Sequence, residues 1–197
     1  GQKEKDIQDT VHTAIMMAIL SGLFLVLLGE TASRPMLTLM GTPDDVLDQA
    51  ALYLKIYFFG MPVLMIYNFG AALLRAVGDT RRPLYFLFAA GAVNVVLNLF
   101  FVIQLGMGVD GVGWATVISE CVSAGLIIRS LMKERGAMKL HLSKLRIVPE
   151  KLKQIIRIGL PAGMQGAIFS ISNVLIQSSV NSFGSIAMAG NTSSANI

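Results

Sequence analysis

The chain has 197 residues, 54% of them apolar and only 14% charged, with a formal net charge of +4 at pH 7. So little charge on so much apolar mass excludes an ordinary soluble domain, whose surface must face water. It also speaks against a nucleic-acid-binding domain, because the basic residues gather between apolar blocks instead of lining one face.

The chain opens on the polar run Gly1-Gln2-Lys3, without an initiator Met or a signal peptide, and stops at Ile197 in a mixed stretch. An internal fragment of a longer protein is expected to look like this. Five apolar blocks follow in order, at residues 12–28, 52–74, 84–104, 112–132 and 160–180. Each is long enough to cross roughly 30 Å of hydrocarbon as a helix of about 20 residues. They are too long for ordinary strands and lack the polar-apolar alternation of membrane barrels. The fold class is therefore all-α, a polytopic helical membrane protein. The single cysteine, Cys121, lies inside the fourth block and has no partner for an internal disulfide.

Between the first two blocks, Gly41 can end a helix and Thr42-Pro43-Asp44-Asp45 can start one. Thr42 suits the cap, Pro43 the first helical position, and the two carboxylates the positive helix end. Within the second block, Gly60-Met61-Pro62 is a helix breaker, and Gly159-Leu160-Pro161 is another at the start of the fifth. Gly60, Pro62 and Pro161 serve either as packing kinks or as hinges. Gly106-Met107-Gly108-Val109-Asp110-Gly111 matches a dinucleotide-binding pattern, but no strand precedes it, so it reads as a tight turn between antiparallel helices. Residues 148–157 place Leu152, Ile155 and Ile156 on one helical face and Lys151, Lys153, Gln154 and Arg157 on the other, as in a helix lying on a membrane interface.

Orientation follows from the basic residues. Alternate loops put fourteen of the sixteen Lys and Arg on one side, leaving only Arg34 and Lys55 on the other. The crowded side, with the loops at 75–83 and 133–159, is expected to be cytoplasmic. The expected organisation is a first helical lobe over residues 1–132, a linker with an amphipathic helix over 133–159, and the start of a second lobe over 160–197.

Polarity inside the third and fourth blocks is the most informative feature. Asn94 and Asn98 stand four apart on one helix, and Thr116 and Glu120 four apart on the next. Around a turn near Met107, positions 94 and 120 fall at one depth and 98 and 116 at another. Amide, hydroxyl and carboxylate oxygens are hard donors suited to a small cation. Two readings fit: hydrogen bonds that hold the helices together, and a cation or proton site. Asn68, Gln165 and Asn173 are further polar residues within spans, where they either line an aqueous cavity or bridge helices.

Four stretches together resemble the multidrug and toxic compound extrusion (MATE) family. They are Tyr57 through Gly60, Pro62 and Asn68 into Leu74-Arg75-Ala76-Val77-Gly78-Asp79-Thr80-Arg81-Arg82-Pro83; Asn94-Val95-Val96-Leu97-Asn98; Gly108-Val109-Asp110-Gly111-Val112-Gly113-Trp114-Ala115-Thr116; and Gly159-Leu160-Pro161-Ala162-Gly163-Met164-Gln165 with Asn181-Ser182-Phe183-Gly184. The resemblance implies a piece running from the end of helix 2 to the start of helix 8 of a twelve-helix, two-lobe transporter. It implies a monomer in the plasma membrane that expels cationic amphipathic compounds in exchange for Na⁺ or H⁺, with no cofactor and no enzymatic activity. The family's fifth- and sixth-helix ligands fall on Asn94, Asn98 and Thr116. A position that is aspartate in some relatives is Asn98 here, so Glu120 is the candidate source of charge.

The rivals are a lipid-linked oligosaccharide flippase of related architecture, a membrane scaffold and an intramembrane enzyme. The flippase needs basic residues inside its spans, which these nearly lack. An intramembrane protease needs buried nucleophile and base, or paired aspartates. The only histidines, His12 and His141, lie at a span end and in a loop.

Overall fold

The computed structural model describes residues 1–161 together with 164, 165, 168, 169 and 172. It divides into two compact units, residues 1–152 and 153–197, and the first holds all the elements that position the site.

Helix α1, Gln2–Leu39, is a single helix of 38 residues, much longer than the apolar block at its centre. It takes in Lys3 and Lys5 at one end and Glu30, Arg34 and Pro35 at the other. Lys, Glu and Arg are good helix formers, so the change in polarity marks the edge of the bilayer without ending the helix. Arg34 thus sits on a helix, not in a loop, and pairs with Asp48 at 2.6 Å.

The second block becomes two helices, α2 (Asp44–Phe59) and α3 (Met61–Ala76), whose axes differ by 44° across Gly60. Pro62 lies in the first turn of α3, where its missing N–H costs least. The start of α2 departs by one residue from expectation. Pro43 precedes the helix with ψ 143°, and no side chain caps it, so Thr42 is not the cap. Asp44 and Asp45 fill the first turn as the helix dipole favours.

α3 ends in a Schellman turn. Gly78 takes φ +88°, while the Asp79 N–H donates to Leu74 O at 3.0 Å and the Gly78 N–H to Arg75 O at 3.0 Å. Helix α4, Arg81–Leu99, passes into one π-helical turn at Phe100–Gln104. The glycine-rich run then makes the expected tight turn, with Gly106 at φ +65°, into α5, Val109–Lys133.

The spans pack as a row: α1 lies against α2 and α3, these against α5, and α5 against α4. The core, Val11, Ile15, Tyr67, Ala71, Leu74, Ala124, Ile127, Leu131 and Leu140, sits toward the end rich in basic residues. Close approach of the helices depends on small residues. A Cβ at Gly22 would lie 2.2 Å from Pro62 Cα, and one at Gly70 would lie 2.0 Å from Ile127 Cγ2. Among the described residues, α1, α4 with its π turn, and α5 are each long and apolar enough to cross a membrane, and the bent α2–α3 pair makes a fourth. The fifth expected span falls largely outside the described residues.

Past α5 the chain folds back on α1 and is clasped there. His12 is buried; its Nδ1 lies 2.7 Å from Gln8 O and its Nε2 accepts the His141 N–H at 3.1 Å. Because Nε2 accepts, Nδ1 carries the proton. The Val148 N–H donates to Thr13 Oγ1 at 3.1 Å, and Arg146 donates to Asp9 at 2.6 Å. Lys151, expected on a solvated face, is buried instead, with its Nζ 3.6 Å from Asp6. Arg82 bridges Asp79 and Glu134, tying the α3–α4 loop to the end of α5. Residues 149–161 are helical, so Gly159, Leu160 and Pro161 lie within a helical run. Pro149 stands at the start of this helical run, a position that its fixed φ favours.

Candidate functional site

A cavity of about 460 Å³ opens among α3, α4 and α5. α3 contributes Tyr67, Asn68 and Arg75, α4 contributes Asn94, and α5 contributes Thr116, Ser119, Glu120 and Ser123. The structure therefore brings together three of the four residues expected to hold a cation, and adds Asn68 to the same wall. Asn98 is not on that wall. Its Nδ2 donates to Asn94 Oδ1 at 2.5 Å, and its own Oδ1 is buried without a partner among the described residues. Counting residues from the turn fixes depth, but which way a side chain faces depends on helix rotation and crossing. Asn94 satisfies the depth pairing with Glu120, while Asn98 turns along its own helix.

Sequence reasoning passes over Ser119 and Ser123, yet the signal was available. Thr116, Ser119, Glu120 and Ser123 stand at i, i+3, i+4 and i+7, a complete polar stripe on an otherwise apolar helix. Tyr67 and Arg75 leave no such trace. Gln165 is helical and exposed, Pro161 is helical, and Asn173 lies outside the described residues.

The hydrogen bonds determine what the cavity offers a ligand. Thr116 Oγ1 donates to Val112 O at 3.1 Å, Ser119 to Thr116 O at 2.7 Å, and Ser123 to Glu120 O at 2.8 Å. Tyr67 donates its hydroxyl proton to Pro83 O at 2.8 Å. Each hydroxyl has spent its single proton and has only lone pairs left to present. The Glu120 carboxylate adds two more acceptor oxygens and forms no ion pair among the described residues. Arg75, the cation on this wall, stands fifteen residues beyond Gly60, roughly 22 Å along α3 by helix rise, toward the basic end. At the level of Glu120 the hydroxyl and carboxylate oxygens present lone pairs to the cavity, which a cation or a proton can complete. Among the described residues no group of three or more His, Cys, Asp and Glu gathers as a transition-metal site requires.

A protein-family model described as MatE matches residues 1–123. This chain belongs to the MatE family. The MatE chain is 30% identical over 198 residues to the probable multidrug resistance protein YoeA of Bacillus subtilis, a match covering 96% of this chain and 42% of that protein. It is 32% identical over 164 residues to the probable multidrug resistance protein YpnP of the same organism, covering 82% and 36%. Its fold matches an outward-facing multidrug resistance MATE family transporter of the MOP superfamily with a TM-score of 0.75 at 26% identity, over 85% of this chain and 38% of the other. The chain spans about two fifths of the length of the curated relatives it matches. It is a multi-pass helical membrane protein of a transporter family.

Proposed function

We propose that this chain supplies the first-lobe spans, and the start of the second lobe, of a secondary-active antiporter that exports cationic amphipathic compounds in exchange for Na⁺ or H⁺. The carrying observation is the Glu120 carboxylate, without an ion pair among the described residues, in a cavity whose hydroxyls have all given their protons to backbone carbonyls. Asn94, Thr116 and Glu120 form the ion site; Asn98 orients Asn94 by donating to its carbonyl. Asn68, on the wall of the same cavity, belongs to the organic-cation path. In this reading residues 1–132 are first-lobe spans, 133–159 the cytoplasmic linker and 160–197 the second lobe. The protein works as a plasma-membrane monomer in contact with lipid, and the lobes rock around the central site.

Ethidium efflux from cells making the full-length transporter, with the Na⁺ and pH gradients varied separately, tests this. Glu120→Gln and Asn94→Ala are expected to lower ion-dependent efflux at least tenfold at unchanged expression. Ion-coupled efflux at wild-type rate in both variants overturns the assignment.

A further inference from the structure

The Glu120 carboxylate touches more than the cavity. A Cβ placed on Gly60 would lie 2.8 Å from Glu120 Oε2 and 3.0 Å from Val117 Cγ2. The carboxylate therefore rests against bare backbone at the point where α2 stops and α3 begins, an approach that glycine permits and any side chain obstructs. α2 and α3 meet there at 44°. Gly60 is the N-cap of α3 and no side chain caps that helix start, while Pro62 in its first turn has no N–H to give. The carboxylate thus lies beside the N-cap of a sixteen-residue helix that begins at membrane depth, the helix end that a negative charge favours. On the α1 side Gly22 packs onto Pro62, and on the α5 side Phe59 meets Trp114 edge to face at 5.8 Å. The break is held from both sides, and the carboxylate that the cavity also presents to a cation rests against it.

We propose that Glu120 is the positioning residue of the α2–α3 break: ionised, it holds the bend at Gly60, and a cation or proton taken up in the cavity withdraws that hold and lets the span straighten. This rests on the ion-site reading of the same cavity and extends it, because it names the element that ion occupancy moves. The coupling is electrostatic. One carboxylate cannot hold a cation in the cavity and the positive end of α3 with full strength at once, so the two partners compete.

The test is the distance between spin labels at Asp45, in the first turn of α2, and Ala76, the last residue of α3, both exposed. Helix rise predicts that straightening a bend of this size lengthens that distance by about 3 Å. In full-length transporter reconstituted in liposomes, Na⁺ alone at fixed pH and proton alone in Na⁺-free buffer are applied separately. At least one is expected to produce the lengthening. Glu120→Gln, which keeps the shape and removes the charge, is expected to show the long distance without either ion and no further response. Gly60→Ala, which displaces the carboxylate from the backbone, is expected to do the same. Should Gly60→Ala fail to fold, Glu120→Gln decides alone.

A distance unmoved by both ions, or one that still responds in Glu120→Gln, overturns the proposal. The two readings fail in different ways. If ion-coupled efflux requires Glu120 but the distance never moves, the bend assignment fails while the ion site stands. If Glu120→Gln exports ethidium with full coupling, the ion site itself is wrong.

Discussion

Two polar regions of this molecule use similar side chains to opposite ends. At the basic end, Asp9 meets Arg146, Asp6 meets Lys151, Thr13 accepts the Val148 N–H, and His12 has a partner for each ring nitrogen. Charge there meets opposite charge, and both His12 ring nitrogens are engaged. In the cavity, Thr116, Ser119, Ser123 and Tyr67 have turned their protons away, and Glu120 has no cationic partner among the described residues. A matched set of polar groups holds chain to chain, whereas an unmatched set of one kind is a vacancy for something from outside. The clasp is thus read as structure and the cavity as site, though both look equally polar in the sequence.

The comparison can be broken most sharply at the clasp. Asp9→Ala leaves Arg146 without its partner and is expected to cost about 1–2 kcal/mol. The loss is visible as a lower melting temperature in detergent and faster tryptic cleavage in residues 133–146, with ion dependence of efflux retained. If Asp9→Ala abolished ion coupling at unchanged melting temperature, the division drawn above would be wrong. The cavity should answer in reverse. Removing both Ser119 and Ser123 hydroxyls by alanine should leave thermal stability within about 0.5 kcal/mol per site, because each bonds only to its own helix. Apparent affinity for the coupling ion, read from the ion dependence of efflux, should fall several-fold.

Acid should loosen the basic end in two separated steps. Burial first, then Lys144, Lys139 and His12, hold the His141 imidazole below its ordinary range. The unfolded chain therefore takes up that proton more readily, so this contribution is intact above the ordinary imidazole range and is lost as pH falls through it. The Arg82 side chain and backbone amide hold the Asp79 carboxyl below the usual carboxylate range. Its contribution persists above that range and disappears only as pH falls further, through the lowered value. Melting temperature measured against pH should show the upper step vanish in His141→Asn and the lower step vanish in Asp79→Asn. The smallest effect belongs to the exposed Arg34–Asp48 pair, where Arg34→Gln should change stability by no more than about 0.5 kcal/mol in the same melting assay.

Much of the fold was legible because hydrocarbon thickness dictates block length. Asn94, Thr116 and Glu120 were legible as a group because polar residues are costly at membrane depth and because equal spacing from a turn sets equal depth. The run of α1 past its apolar block was not, since hydropathy reports the solvent around a helix and good helix formers continue it into water. The chain pattern likewise assigned Lys151 to a solvated face, but the facing Asp6 decided otherwise.

The order of residues alone determined the class of this molecule and the place of its apolar blocks along the described helices, since both follow from local spacing against a slab of fixed thickness. Only the tertiary structure decided which polar groups face one another. Rotation about each helix axis settled that Asn98 turns to Asn94, that Ser119 and Ser123 join the cavity wall, and that Glu120 rests on the backbone of Gly60. Those orientations depend on side chains of neighbouring helices fitting together, and no single helix carries that information.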